Sequence, residues 1–502
     1  MNSMSIKTLA DLLSQSANRF PEATALVSQG IRYTYRELEE QTNRLAHDLI
    51  RRGVTPGERI GICCWNSPEL VLALFAIWKV GGIVVDINPS FKPEEIIRIV
   101  RQCEIKMLIT EKIQRNLWEQ ISSQFESLTI LLTDEGEKGK IREGEKGRRE
   151  ELENRSRGGD SPSIACINYT SGTTGIPKGV LLPHKNLIRN AELNIKYFQI
   201  SARDRTSLVL PLFFGMNKIF LLAHLMVGAT VILERNFLSP NSVLASMEAE
   251  QVTGLSAVPT VYHTLLSRGD IRRYTLTSLR YFRIGAGQVT PQLIRNLREA
   301  FPRVDIYLTY GLTEVGLVTV LPPEKLQEKA GSCGRIIPEV QVHLAKGEEG
   351  SEKEIVIRCD HSAIGYYKNE EATRQVFKED GIHTGDLGWM DEEGYLYLAG
   401  RQKDLIKSGS ENIHPSEIEA VLIGHEGVAD CAVVGVPDEW LGEAIQAYIV
   451  PKEGFYLDSD QILRFCVGRL SPIKRPKYII ICDKLPRTET GKIKKRELRE
   501  IG

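Results

Sequence analysis

The sequence predicts an α/β protein: a large amino-terminal domain of helices layered on parallel strands, followed by a separate α+β carboxy-terminal domain. Three observations carry this. The chain has 502 residues, and at roughly 100–200 residues per domain that length favours several domains over one. Apolar, β-branched runs at 83–87, 128–132, 206–210 and 229–233 alternate with helical patterns, as buried parallel strands do. Past Gly400 the texture changes to a short helix at 416–423 and strands at 429–436 and 445–450, the mixture of a separate α+β unit. The domains are therefore drawn as 1–400 and 405–502, with a charged, polar junction at 401–404.

Taken in order, residues 34–53 form an amphipathic helix. Thr34 and Glu37 have capping-box spacing, Leu38, Thr42, Leu45, Ala46, Leu49 and Ile50 line one face, and Gly53 suits a left-handed stop. The apolar runs 70–78 and 219–233 fall short of the ~20 residues that span a bilayer and read as buried helix or strand. His224, inside the second run, reads as a core histidine. Residues 134–163 are dominated by Lys, Arg, Glu, Asp and Gly, with GEKG twice, the composition of a mobile surface insert. Strands are expected at 305–308 and, after the turn at 391–394, at 395–399.

Composition narrows the partners. The balance of 64 Lys+Arg against 65 Asp+Glu gives a formal net charge of −1, with no electrostatic footprint for nucleic acid or an anionic membrane. The expected partners are small molecules. Nine cysteines without a CxxC pair read as reduced core thiols in a cytoplasm, not as a metal or disulfide framework. The first thirteen residues lack the apolar core of a secretory signal.

The most informative segment is YTSGTTGIPKGV, residues 169–180, which follows the apolar run 164–167. Its glycines permit a tight backbone, Thr170, Ser171, Thr173 and Thr174 supply hydroxyls, and Lys178 supplies a cation. Backbone NH groups and hydroxyls around a concavity, with one Lys, are what a polyphosphate requires. A Walker A loop is excluded, because Pro177 stands where Gly is needed and Gly179 where the Mg²⁺-binding hydroxyl is needed.

This loop closely resembles the phosphate loop of the adenylate-forming superfamily, which includes acyl-CoA synthetases, aryl-CoA ligases, luciferases and carrier-loading adenylation domains. Four further segments follow in the family's order: Tyr310-Gly311-Leu312-Thr313-Glu314, Thr384-Gly385-Asp386, the stretch Gly400 to Gly409 containing Arg401 and Lys403, and Pro486 to Lys492. The resemblance implies a small β-barrel-like part in the large domain, a mobile α+β carboxy-terminal domain, and an AMP-forming ligase using ATP, Mg²⁺ and CoA, or a carrier-protein phosphopantetheine in place of CoA. It implies that Thr170, Ser171, Gly172, Thr173, Thr174, Gly175 and Lys178 hold the β- and γ-phosphates, that Gly285, Ala286, Tyr310 and Gly311 meet adenine, and that Asp386 and Arg401 take the ribose and phosphate. Thr313 and Glu314 serve phosphate and Mg²⁺, and Lys492 completes the catalytic set by charge and position. The junction at 401–404 becomes a hinge with Lys403 as its pivot, bringing Ser408 and Gly409 to a pantetheine tunnel.

The acyl pocket is implied at Phe213, Phe214 and Gly287, within and beside PLFFGMN, residues 211–217. Many acyl-CoA synthetases have a His where Phe214 stands, so this pocket reads as drier. No Asp lies between Pro211 and Leu225 to pair with an α-ammonium. An apolar acid, fatty, alicyclic or aryl, is therefore expected, with fatty acid metabolism as its setting. The acceptor is CoA or an acyl carrier protein, with no nucleic acid partner and no integral membrane association.

Overall fold

The computed structural model describes residues 6–111, 115–133, 164–170, 177–235, 237, 239–287, 289–345, 353–408, 411–488 and 493–501. The charged insert expected at 134–163 lies outside them. The remaining residues form a mixed α/β molecule with a large amino-terminal sheet domain and a smaller carboxy-terminal one.

Three sheets organise the chain. The first runs in the order Thr129–Thr133, Met107–Glu111, Arg59–Cys63, Ile83–Asp86, Ile164–Thr170 and Lys178–Pro183. All its pairings are parallel except the last, an antiparallel hairpin. The second has a parallel centre, Thr24–Ser28, Thr230–Leu233, Arg205–Leu208, Gly254–Ala257, Tyr281–Gly285 and Asp305–Leu312. Antiparallel strands, from Gly316–Leu321 through Tyr395–Arg401 and Gly381–Met390 to Gln341–Leu344, extend its edge. They occupy the place of the expected β-barrel-like part. The third sheet is the small one, with Ile406–Ser408, Val428–Asp438, Gly442–Pro451 and Tyr478–Ile481 among its strands.

The local rules hold where they are strongest. The helix Tyr35–Arg51 is capped by Thr34, whose Oγ1 accepts from Glu37 N at 3.1 Å while Thr34 N donates to Glu37 Oε2 at 2.9 Å. Gly53 takes the left-handed φ of +89°. The run at 70–78 lies in the helix Pro68–Lys79, which is apolar around its circumference because it is buried around its circumference. Its one basic residue, Lys79, donates to Glu39 at 2.8 Å in the interior.

One hydrophobic cluster joins both large sheets to the helices Pro68–Lys79, His184–Phe198 and Gly215–Val227. The last two carry the site. Gly215–Val227 is pinned by a fully buried ion pair between Lys218 and Asp86, at the end of the strand Ile83–Asp86. Removing one partner of such a pair leaves an uncompensated interior charge, so the pair fixes where this helix sits. His224, as expected, is a core residue: its Nδ1 meets Phe220 O at 2.8 Å, and burial pulls its pKa down to about 4.

Candidate active site

The phosphate-loop residues that can be placed stand at the mouth of a hairpin. Thr170 and Lys178 are register partners across the antiparallel strands Ile164–Thr170 and Lys178–Pro183. The helix after the loop opens at His184, and the strand Lys178–Pro183 stands between it and the loop. Ser171, Gly172, Thr173, Thr174 and Gly175 lie outside the described residues. The Nζ of Lys178 sits 5.2 Å from the ring centroid of Tyr366, within cation–π range.

Tyr366 is the link from Lys178 to Glu314. Its hydroxyl donates to Glu314 Oε1 at 2.7 Å, and burial together with the Glu314 charge pushes the phenol pKa up, keeping it a donor. The main chain beneath Glu314 is clasped from the helix His184–Phe198. Asn190 Nδ2 donates to Val315 O at 2.9 Å and to Asn186 O at 3.0 Å, while Asn190 Oδ1 accepts from Leu317 N at 2.9 Å. Asn186 Nδ2 adds bonds to Val315 O at 3.2 Å and His361 O at 2.6 Å. Gly316 has φ +102°, and a Cβ there would stand 1.9 Å from Asn190 Oδ1, so only glycine fits the clasp.

A second constellation gathers Tyr310, Asp386 and Arg401. Asp386 and Arg401 are cross-strand partners of Gly381–Met390 and Tyr395–Arg401. Asp386 Oδ1 lies 2.7 Å from Arg401 Nε, and Oδ2 accepts from the Tyr310 hydroxyl at 2.7 Å. Burial opposes the charge on Arg401, yet Asp386 and its neighbours hold the guanidinium pKa above its ordinary value. Asp386 itself is nearly buried, whereas Arg401 keeps an exposed face. Tyr310 spends its hydroxyl on orienting the carboxylate, a role the motif did not disclose.

Next to the strand that carries Tyr310, on the side away from Arg401, lies the parallel strand Tyr281–Gly285. Gly285 is buried, with room denied to a Cβ by Thr309 Oγ1 at 2.6 Å. Ala286 turns out in the left-handed region at φ +59°, exposed beside Gly287. Phe213 and Phe214 pack together at 4.5 Å between centroids, and Phe213 also meets Trp65 at 6.2 Å. Asn66 holds their segment, donating to Leu210 O at 2.9 Å and accepting from Leu212 N at 2.9 Å.

Thr313 stands half-buried beside Glu314, and Gly311 lies in the bulge between the strands Asp305–Leu312 and Gly316–Leu321. Ser408 is buried in the small sheet, paired with Glu411 and Gly442. The Lys403 side chain, Gly409 and Lys492 fall outside what is described. Sequence reading missed Tyr366 and the asparagines. Asn186, Asn190 and Asn194 recur every four residues on one buried helix face, a polar stripe on an apolar face that the sequence does display.

Residues 13–367 match the AMP-binding enzyme family, and residues 417–492 match the AMP-binding enzyme C-terminal domain. The chain belongs to this adenylate-forming family. An indoleacetate–CoA ligase of Aromatoleum aromaticum is 32% identical, covering 98% of this chain and 98% of that one. A medium-chain acyl-CoA ligase of Mus musculus is 30% identical over 98% of this chain and 87% of that one. Among solved structures, the anthranilate CoA ligase AuaEII in complex with anthranoyl-AMP aligns with a TM-score of 0.87 and 28% identity, covering 98% of this chain and 97% of that one. The adenylate-forming chain is thus an AMP-forming acid–CoA ligase that binds ATP and AMP. Among its described residues no helix is long and apolar enough to cross a membrane, and all nine cysteines are free thiols.

Proposed function

We propose that this ligase activates an acid with an apolar body, using ATP and Mg²⁺, and transfers the acyl group to CoA in the cytoplasm, with fatty acid metabolism as one setting. The observation that carries the assignment of roles is the Lys178–Tyr366–Glu314 chain, which joins the phosphate hairpin to the acidic turn.

Adenylation brings the acid's carboxylate to the α-phosphorus of ATP and expels pyrophosphate, so negative charge must be stabilised at both ends of the displacement. Lys178 and the hydroxyls from Thr170 to Thr174 hold the departing phosphates, and Thr313 donates to phosphate. Glu314 suits a divalent cation: Tyr366 occupies one carboxylate oxygen, and the other has no hydrogen bond among the described residues. One carboxylate supplemented by substrate phosphates is the usual Mg²⁺ environment, and the ion when bound neutralises charge on the leaving group. Asp386, held by Tyr310 and Arg401, accepts the ribose hydroxyls while Arg401 presents its exposed face to phosphate. Gly285, Ala286 and Gly311 border adenine. Lys492 acts by charge on the carboxylate and α-phosphate oxygens. Rotation about Lys403 then withdraws Lys492 and brings Ser408 and Gly409 to the pantetheine.

Pyrophosphate release from ATP and Mg²⁺ across a panel of fatty, alicyclic and aryl acids, with and without CoA, tests this. Turnover with an acid of this class that requires CoA is the expected result. A single stoichiometric burst unaffected by CoA would overturn CoA as the acceptor, and silence with every acid would overturn the ligase reading.

A further inference from the structure

Arg283 is the residue that the adenylation chemistry above leaves unused. It lies in the middle of the strand Tyr281–Gly285, two residues before Gly285, and is 7% exposed. Among the described residues no carboxylate pairs with it. Its Nη1 donates to Ser256 Oγ at 3.1 Å, and its Nε has no hydrogen-bond partner among the described residues. The rings of Phe198 and Phe220 stand 5.5 and 5.6 Å from its guanidinium carbon. Burial brings its pKa down to about 10, so it remains a cation at neutral pH. Every other strongly buried charge described above has an ionic partner in the chain, as Lys218 has Asp86 and Lys79 has Glu39. A buried charge without a partner is costly, and an incomplete set of hydrogen bonds marks the missing acceptor.

Two periodicities place the guanidinium relative to the reacting end of the acid. Alternate residues of a strand share a face, so Arg283 and Gly285 point the same way. Residues four apart on a helix share a face, so Met216 and Phe220 of Gly215–Val227 also line up. A Cβ at Gly285 would stand 3.7 Å from Met216 Sδ, and Phe220 lies against Arg283. Helix and strand therefore run side by side from Gly285, at the adenylation end, inward to Arg283. Beyond Arg283 the same strand face carries Tyr281, stacked on Phe198 at 6.2 Å and 6.4 Å from Phe220. Two strand residues span about 7 Å, so Arg283 is set back from Gly285 by the length of a short carbon chain.

We propose that Arg283 sets the acid specificity of this ligase by receiving a second oxygen-bearing group, a carboxylate or a ketone, at the far end of the acid's apolar body. The inference rests on the ligase reading and deepens it. Phe213, Phe214 and Phe220 accommodate the carbon chain, and Arg283 completes its hydrogen bonds only when the distal oxygen arrives. A site built to bond a substrate oxygen rejects the analogue that lacks it far more strongly than an apolar pocket rejects an added group.

The test compares three matched series in the pyrophosphate assay: straight-chain monoacids of about five to eight carbons, the dicarboxylates of equal length, and the acids bearing a ketone near the far end. The wild-type enzyme is expected to favour one oxygenated series over the plain acids by roughly tenfold or more in kcat/KM. A dicarboxylate preference identifies an anionic partner, an oxo-acid preference a neutral one. Arg283→Met, apolar and similar in length, should reverse the ratio, and Arg283→Lys should retain part of it for dicarboxylates. Plain acids used as well as or better than both oxygenated series by the wild-type enzyme would overturn the proposal, whether or not either variant folds. An unchanged ratio in a folded Arg283→Met enzyme would overturn it too. Either result leaves the ligase reading intact, whereas silence with all three series defeats both.

Discussion

Replacing Asn190 with alanine should damage both stability and catalysis, although this side chain touches no substrate. The substitution deletes three hydrogen bonds: two donated, at 3.0 Å to Asn186 O and 2.9 Å to Val315 O, and one accepted from Leu317 N at 2.9 Å. Val315 O keeps its bond from Asn186, but the buried Leu317 N–H loses the amide oxygen. At about 1 kcal/mol net per bond, with a stranded buried donor at the costly end of the range, the loss is about 3 kcal/mol. That is about two decades in the folded-to-unfolded ratio. The turn the clasp holds carries Glu314, and a shift of about 1 Å there should slow adenylation on the order of a hundredfold. Denaturant unfolding and ATP–pyrophosphate exchange read the two effects. Asn190→Asp separates them from simple loss of volume. It keeps an acceptor for Leu317 N but sets a carboxylate against two carbonyl oxygens, so its folded-state pKa rises above the unfolded value. The contribution of such a group is present below the unfolded pKa of about 3.9 and is lost as pH rises through the folded one. The deficit of Asn190→Asp relative to wild type should therefore shrink on acidification. Asn190→Ala within about 0.5 kcal/mol of wild type and exchanging at the normal rate would refute the clasp.

Tyr366→Phe removes the donor to Glu314 and should lower exchange roughly tenfold, with the effect in kcat and little change in melting; an unaltered rate would detach Tyr366 from the phosphate machinery. Asp386→Asn breaks the pair with Arg401 and should raise the KM for ATP at least tenfold while sparing the acid's KM. Lys218→Met strands Asp86 in the interior and should cost about 3–5 kcal/mol in denaturant, most of it recovered in the Lys218→Met/Asp86→Leu double variant. The pH profile follows from His184 and His224. Burial lowers both from the ordinary 6.5 to about 4, so below pH 6.5 the unfolded chain binds more protons than the folded one. Their stabilisation is complete above that pH and is lost as pH falls towards 4, by up to about 3 kcal/mol apiece. A His184→Gln variant should flatten the decline measured by denaturant titration.

What the sequence discloses depends on whether a residue's partner is near or far along the chain. The helix at Tyr35–Arg51 was legible because Thr34 and Glu37 are three residues apart and carry their own stop at Gly53. The parallel strands were legible because burial on both faces makes them continuously apolar. The motif residues Asp386, Arg401 and Glu314 were legible as chemistry, but not as contacts. Asp386 meets Tyr310 across 76 residues and Glu314 meets Tyr366 across 52, and no local pattern announces such pairings. The strand Lys178–Pro183 was overlooked because its first three residues belong to the glycine-rich motif, and only three more separate that motif from the helix at His184. Arg283 was overlooked for the opposite reason, since a single arginine in an apolar strand looks like noise until the strand proves central.

The strand that ends in Arg401 belongs to the same sheet as the strand that carries Arg283 and Gly285, and the turn Gln402–Asp404 follows it directly. Under the proposed hinge role of Lys403, there would be no slack between Arg401, the proposed nucleotide contact, and the joint about which the small domain would turn. Asp386 grips Arg401 across the ladder, so on the proposed roles a change of ligand at the ribose position would be delivered to the joint along two consecutive peptide units. In such an arrangement the nucleotide acts as a timing element: the identity of what sits on Asp386, intact ATP or the adenylate, bears on when the domain turns as well as on how tightly the ligand is held.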